Sequence, residues 1–106
     1  MAEQLSPKQL NDLGDAYFNG TGKVQNKELA YTYYKQAAEM DNALGHVNIG
    51  KYFIDKGDFK KANEALMKAK SYRYTPALLL LAAMAKNGQG MKRNKTKAFK
   101  YAIPII

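Results

Sequence analysis

Apolar residues recur along the chain at spacings of three and four, with polar residues between them. Leu10, Leu13 and Ala16, with Tyr17 beside them, form one stripe, the periodicity of an amphipathic helix. Ala30, Tyr33 or Tyr34, and Ala37 form a second stripe. The residues between such stripes are helix punctuation. Ser6-Pro7-Lys8-Gln9 predicts a helix start, with Ser6 as cap, Pro7 in the first turn and Gln9 completing a capping box. Asn19-Gly20 and Asn87-Gly88 predict helix ends, where glycine takes the left-handed conformation. Asn26, Asp58 and Asn94 predict further helix starts. The apolar run from Ala77 to Ala85 is nine residues long. A membrane span needs about 20, so this run reads as a buried helix.

The pattern repeats. Gly20-Thr21-Gly22 through Asn26-Lys27 to Ala30-Tyr31 returns 68 residues later as Gly88-Gln89-Gly90, Asn94-Lys95 and Ala98-Phe99, without a gap. Leu13-Gly14-Asp15-Ala16-Tyr17 returns 36 residues later as Ile49-Gly50-Lys51-Tyr52-Phe53, and Ala30 and Ala37 return 32 later as Ala62 and Ala69. The mismatch falls in the first turn, which is longer than Lys56-Gly57-Asp58. One repeat domain over 1–106 is expected, with units 7–42, 43–74 and 75–106, the last truncated. Each unit is a pair of helices, A then B. Gly14 and Gly50 lie inside A helices at a cost of up to about 1 kcal/mol each relative to alanine. The third unit has Ala82 there, so the position is one of close packing.

Leu-Gly-x-x-Tyr-x-x-Gly-x-Gly, followed by alanine, tyrosine and Ala-Ala-Glu at helical spacing, resembles the Sel-one-like repeat, a relative of the tetratricopeptide repeat. Leu13, Gly14, Tyr17, Gly20, Gly22, Val24, Ala30, Tyr33 or Tyr34, Ala37, Ala38 and Glu39 carry it. The second unit keeps Ile49, Gly50, Phe53, Gly57, Ala62 and Ala69, with a shortened turn. The third keeps Gly88, Gly90, Ala98 and Tyr101 and departs at Ala82 and Ala85. The resemblance implies an all-α fold, a right-handed superhelix of about three antiparallel helix pairs whose A helices line a concave groove. It also implies a scaffold or adaptor rather than a catalyst.

Projecting the tetratricopeptide geometry onto this chain puts Asn11, Asp15, Phe18 and Asn19 on the concave side of the first unit. Val47, Lys51, Ile54 and Asp55 follow in the second, and Leu79, Ala83, Lys86 and Asn87 in the third. An apolar floor with a polar or basic rim suits an extended peptide or a helix. The expected partner is a protein or peptide, with acidic groups meeting Lys51 and Lys86.

Charge adds a second surface. The net charge is +8, but residues 1–42 carry −2, 43–75 carry +4 and 76–106 carry +6, with no acid in the last segment. Lys92, Arg93, Lys95, Lys97 and Lys100 form a basic patch, with Lys68, Lys70 and Arg73 before it. Nucleic-acid binding, with Tyr72 and Tyr74 stacking on bases, is therefore the alternative reading. Lysine outnumbers arginine 15 to 2 and no nucleic-acid motif is present, which disfavours it. The apolar Tyr101–Ile106 end offers a third reading, self-association through the C-terminal end, because an array normally closes on a polar face. Asp55 and Asp58 flank a turn and read as capping residues.

Catalysis is not expected. There is no cysteine, one histidine (His46) and two serines, Ser6 and Ser71, too few for a nucleophile triad, and a metal site at His46 would need further ligands that no cysteine or second histidine supplies. Gly20-x-Gly22 follows a helix instead of a strand, which excludes a dinucleotide fingerprint. No cofactor is expected. A polar N-terminus and a cysteine-free composition point to the cytoplasm without membrane attachment.

Overall fold

The computed structural model describes residues 4–89 and 95–102. They form helices and turns only. The helices are α1 (Pro7–Asn19), α2 (Lys27–Glu39), α3 (Ala43–Lys56), α4 (Phe59–Ser71), α5 (Thr75–Asn87) and α6 (Lys95–Ala102). Each packs on its neighbours in sequence, and α1 also touches α3. The result is an elongated stack, 51 × 25 × 20 Å.

Local chemistry sets the helix ends. Ser6 accepts from the Gln9 backbone N–H at 3.1 Å while the Gln9 side chain accepts from the Ser6 N–H at 2.8 Å, closing the expected capping box. Asn26 and Asp58 cap α2 and α4 through Leu29 and Lys61. Asn94 lies outside the described residues. Asp55, in contrast, caps nothing; it pairs with Lys27 of the preceding unit at 3.1 Å. Gly20, Gly57 and Gly88 end α1, α3 and α5 in the left-handed region, at φ 71°, 79° and 71°.

Close packing follows from three small residues. A Cβ on Gly14 would lie 2.3 Å from the Tyr34 ring, and one on Gly50 would lie 2.7 Å from Leu66. Tyr34, not Tyr33, is therefore the buried aromatic of α2, while Tyr33 stacks on Tyr17 at 5.7 Å. Gly45 is a third such position: its Cβ would meet the Ala38 backbone nitrogen at 2.6 Å. It lets α3 lie against the end of α2.

The largest buried cluster joins α3 to α6: Val47, Ala62, Leu66, Ala69, Ala77, Leu81, Met84, Ala85 and Tyr101. Toward the N-terminus the core is Leu10, Ala30, Tyr34, Ala37 and Ala38.

Candidate functional site

Between the first two A helices lies a cleft of about 380 Å³ lined by Asp15, Phe18 and Asn19 of α1, Tyr34 of α2, and Leu44, Asn48 and Lys51 of α3. Three of the residues projected onto the concave side in the first unit, and Lys51 from the second, meet here. Tyr34 and Asn48 form its buried floor; Asp15, Asn19 and Lys51 stand exposed on its rim.

The floor is already satisfied. Tyr34 donates its hydroxyl to Asp15 at 2.6 Å. Burial, reinforced by this carboxylate, pushes the Tyr34 phenol far above its usual range, so it stays a fixed donor. Asn48 donates its amide to Asn11 at 3.0 Å. What remains for a ligand is the carboxylate edge of Asp15, the amide of Asn19 and the ammonium of Lys51, around the apolar surfaces of Phe18 and Leu44. This combination can take a short stretch of polypeptide, with carboxylate or carbonyl toward Lys51 and N–H toward Asp15.

The other projected residues are distributed differently. Asn11 and Val47 are each 1 % exposed and cannot contact a partner. Both face the following unit instead of the groove: Asn11 donates to Asn42 at 2.9 Å and accepts from Asn48, and Val47 lies in the main core. Ile54 packs against that core. Asp55 is engaged by Lys27, whose ammonium also sits 5.2 Å from the Phe18 ring centroid. Leu79, Ala83, Lys86 and Asn87 are exposed on α5, away from the cleft-lining residues.

In the basic region, Lys92 and Arg93 lie outside the described residues, and Lys95 is placed only as the first residue of α6. Lys97 and Lys100 are exposed, with Lys97 5.8 Å from the Tyr101 ring centroid. Tyr72 does not stand free for base stacking: it lies 5.8 Å from His46 and donates to Asp41 at 3.3 Å. Tyr74 packs on the core. The Ile103–Ile106 end falls outside the described residues.

His46 is half-buried in a shallow hollow between α2 and α4. Desolvation, and then the positive charge of Lys68, hold its pKa below the usual value. Among the described residues no three histidine or carboxylate side chains gather where they would hold a metal ion, and no helix is long and apolar enough to cross a membrane.

One contact set was not anticipated from the sequence. Glu28 of α2 accepts from Tyr52 at 3.1 Å and pairs with Lys56, bridging the first unit to the second. The hydrogen bond from Lys56, then that from Tyr52, hold Glu28 below the usual carboxylate range. The available signal was the Glu28–Lys56 and Lys27–Asp55 spacing of 28 residues, the same in both pairs and of opposite sign.

Comparison with known proteins accounts for this architecture. The crystal structure of a Sel1 repeat protein from Oxalobacter formigenes matches with a TM-score of 0.78 at 24 % identity, over 92 % of this chain. The chain spans 42 % of that protein's length, and the likeness is one of fold. A search of curated proteins returns no match. The model of the Sel1 repeat matches residues 10–42 and 75–103, more than half of the chain, on either side of the shortened middle unit. The chain belongs to the Sel1 repeat family.

Proposed function

We propose that this chain is an adaptor that holds a peptide or helix of a partner protein in the cleft between α1 and α3. Sel1 repeat proteins are generally scaffolds for protein–protein interaction. The observation that carries the finer reading is the cleft itself, with Asp15 and Lys51 of opposite charge on its rim and Phe18 and Leu44 between them. Lys51 has no partner among the described residues, so a carboxylate of the partner can take it without breaking an existing pair. Lys86, exposed one unit further on, extends the same preference for acidic groups. We read residues 7–42, 43–74 and 75–106 as one non-catalytic array working in the cytoplasm.

The test is capture of partners from nuclease-treated extract by the wild-type chain and by Lys51→Glu and Phe18→Ala. A protein retained by the wild type and weakened about tenfold or more by either substitution, equivalent to about 1.4 kcal/mol, supports the reading. Captured proteins indifferent to both variants, or lost on nuclease treatment, overturn it.

A further inference from the structure

A hollow between the start of the A helix and the end of the B helix recurs in the first two units, and its chemistry differs between the copies. In the first unit, about 460 Å³ in volume, Leu10, Gln36 and Met40 are among the residues that line it. In the second, about 340 Å³, the corresponding places hold His46, 36 positions after Leu10, and Lys68 and Tyr72, 32 positions after Gln36 and Met40. The counterpart of His46 in the third unit is again leucine, Leu78, which packs on the core. The only histidine of the chain therefore interrupts a column of leucines.

Charged and titratable groups surround it from both neighbouring helices. Tyr31, Lys35 and Glu39 of α2 and Asp41 of the following turn line one side of the hollow; Lys68 and Tyr72, at the end of α4, line the other. The Tyr72 ring centroid lies 5.8 Å from the imidazole and 5.6 Å from the Lys68 ammonium. The Tyr72 hydroxyl donates to Asp41 at 3.3 Å, long for an O–H···O bond, whose usual length is about 2.7–2.8 Å. Because Tyr72 is the C-cap of α4 and Asp41 lies in the turn between α2 and α3, this bond spans the first joint. Desolvation and Lys68 favour the neutral imidazole, and Asp41 pulls the other way.

We infer that His46 is a proton-operated latch on the first joint: on gaining a proton, its imidazolium takes Asp41 from Tyr72 and releases the end of α4 from the α2–α3 turn. Donor strength sets the direction. A bond from imidazolium to carboxylate is charge-assisted and about twice as strong as one from a neutral donor, and the phenol holds Asp41 only through a long bond. Lys35 and Lys68 oppose the new charge. Glu39 favours it as Asp41 does, but only Asp41 is bound to Tyr72. The hollow shares no residue with the lining of the α1–α3 cleft, so the latch does not depend on the adaptor reading.

The test is NMR of the full chain between about pH 5 and pH 8, the range in which histidine changes charge. The His46 imidazole signals give its midpoint. Hydrogen exchange at the Tyr72 and Arg73 amides, which bond to Ala69 and Lys70, reports the end of α4. The reference is His46→Leu, which restores the leucine of the other units, measured at the same pH. Below the midpoint the wild type should exchange about two- to tenfold faster than the reference, the worth of one hydrogen bond. Above it the two should be equal. The second variant is Asp41→Asn, which leaves His46 as buried as before and suits the left-handed turn position at φ 58°. In that background, below its own His46 midpoint, adding His46→Leu should make no difference. Equal exchange of wild type and His46→Leu at every pH overturns the inference. Acceleration that persists in Asp41→Asn overturns it as well, because it then comes from burying a charge and not from the exchange of Asp41 between donors.

Discussion

The two joints of this array occupy the same place in the repeat and differ in their chemistry. The first adds polar links to its aromatic and small-residue packing: Asn11 links Asn42 and Asn48, Glu28 bridges to Tyr52 and Lys56, and Lys27 meets Asp55, while Tyr31 stacks on Tyr52 at 4.7 Å. The second is apolar, with Val47, Ala69, Ala77 and Leu81 withdrawn from water. The repeat thus specifies a geometry and leaves the interaction open. A polar joint depends on each group keeping its partner, because an orphaned buried group costs more than the bond contributes. An apolar joint depends on volume and has no such directionality.

The largest effect should come from the apolar joint. Leu81→Ala removes a fully buried side chain and is expected to lower stability by about 2–5 kcal/mol, measured by urea unfolding. Next is Gly45→Ala, whose new methyl meets backbone instead of a movable side chain. It should cost about 1–3 kcal/mol, while the matching third-unit position already tolerates Ala77. A neutral Gly45→Ala would show that the joint can open without loss.

The sharpest contrast is at Asn11. Asn11→Leu leaves the buried Asn48 amide without its acceptor and should cost about 1–3 kcal/mol. Asn11→Leu with Asn48→Leu converts the first joint to the chemistry of the second and should recover most of that loss in a double-mutant cycle. Strict additivity of the two substitutions would contradict the matched-polarity account.

Smaller effects are pH-linked and fall on the first joint and its surroundings. His46 has a folded pKa below its usual 6.5, so the unfolded chain binds the proton more readily. Stability should fall as pH is lowered through 6.5, and His46→Gln should remove that slope. The smallest effect is at Glu28, exposed and held below its usual 4.5. Its contribution is present above pH 4.5 and fades as pH falls below it. Glu28→Gln should flatten the acid limb there, and added salt should mimic the substitution.

Much of the fold was legible because caps and close-packing glycines are local signals. Ser6 and Gln9, Asn26, Asp58, Gly20 and Gly88 each act within one turn of their own position, and Gly14 and Gly50 were marked by a small residue recurring in the third unit. The cleft was legible in part, since Asp15, Phe18, Asn19 and Lys51 do come together. Asn11 and Val47 were misplaced onto the groove for a definite reason. Whether an A-helix position faces the groove or the next unit depends on how successive pairs are rotated, and no single helix encodes that. The choice between Tyr33 and Tyr34 was likewise open, because adjacent helical positions differ by about 100° and both rings are large enough to pack. Gly45 carried a fainter signal of the same kind: a small residue, Ala77, recurs 32 positions later.

Sequence alone determined the all-helical class and several helix ends, those at Ser6, Gly20, Asn26, Asp58 and Gly88, because hydrogen-bond capping, glycine conformation and side-chain periodicity act over a few residues. It also determined the charge gradient. Only the tertiary structure decided which stripe of each A helix is buried between units and which lines the cleft. That choice is made where helix pairs meet, by whether Asn11 finds Asn48 and whether Tyr34 fits over Gly14.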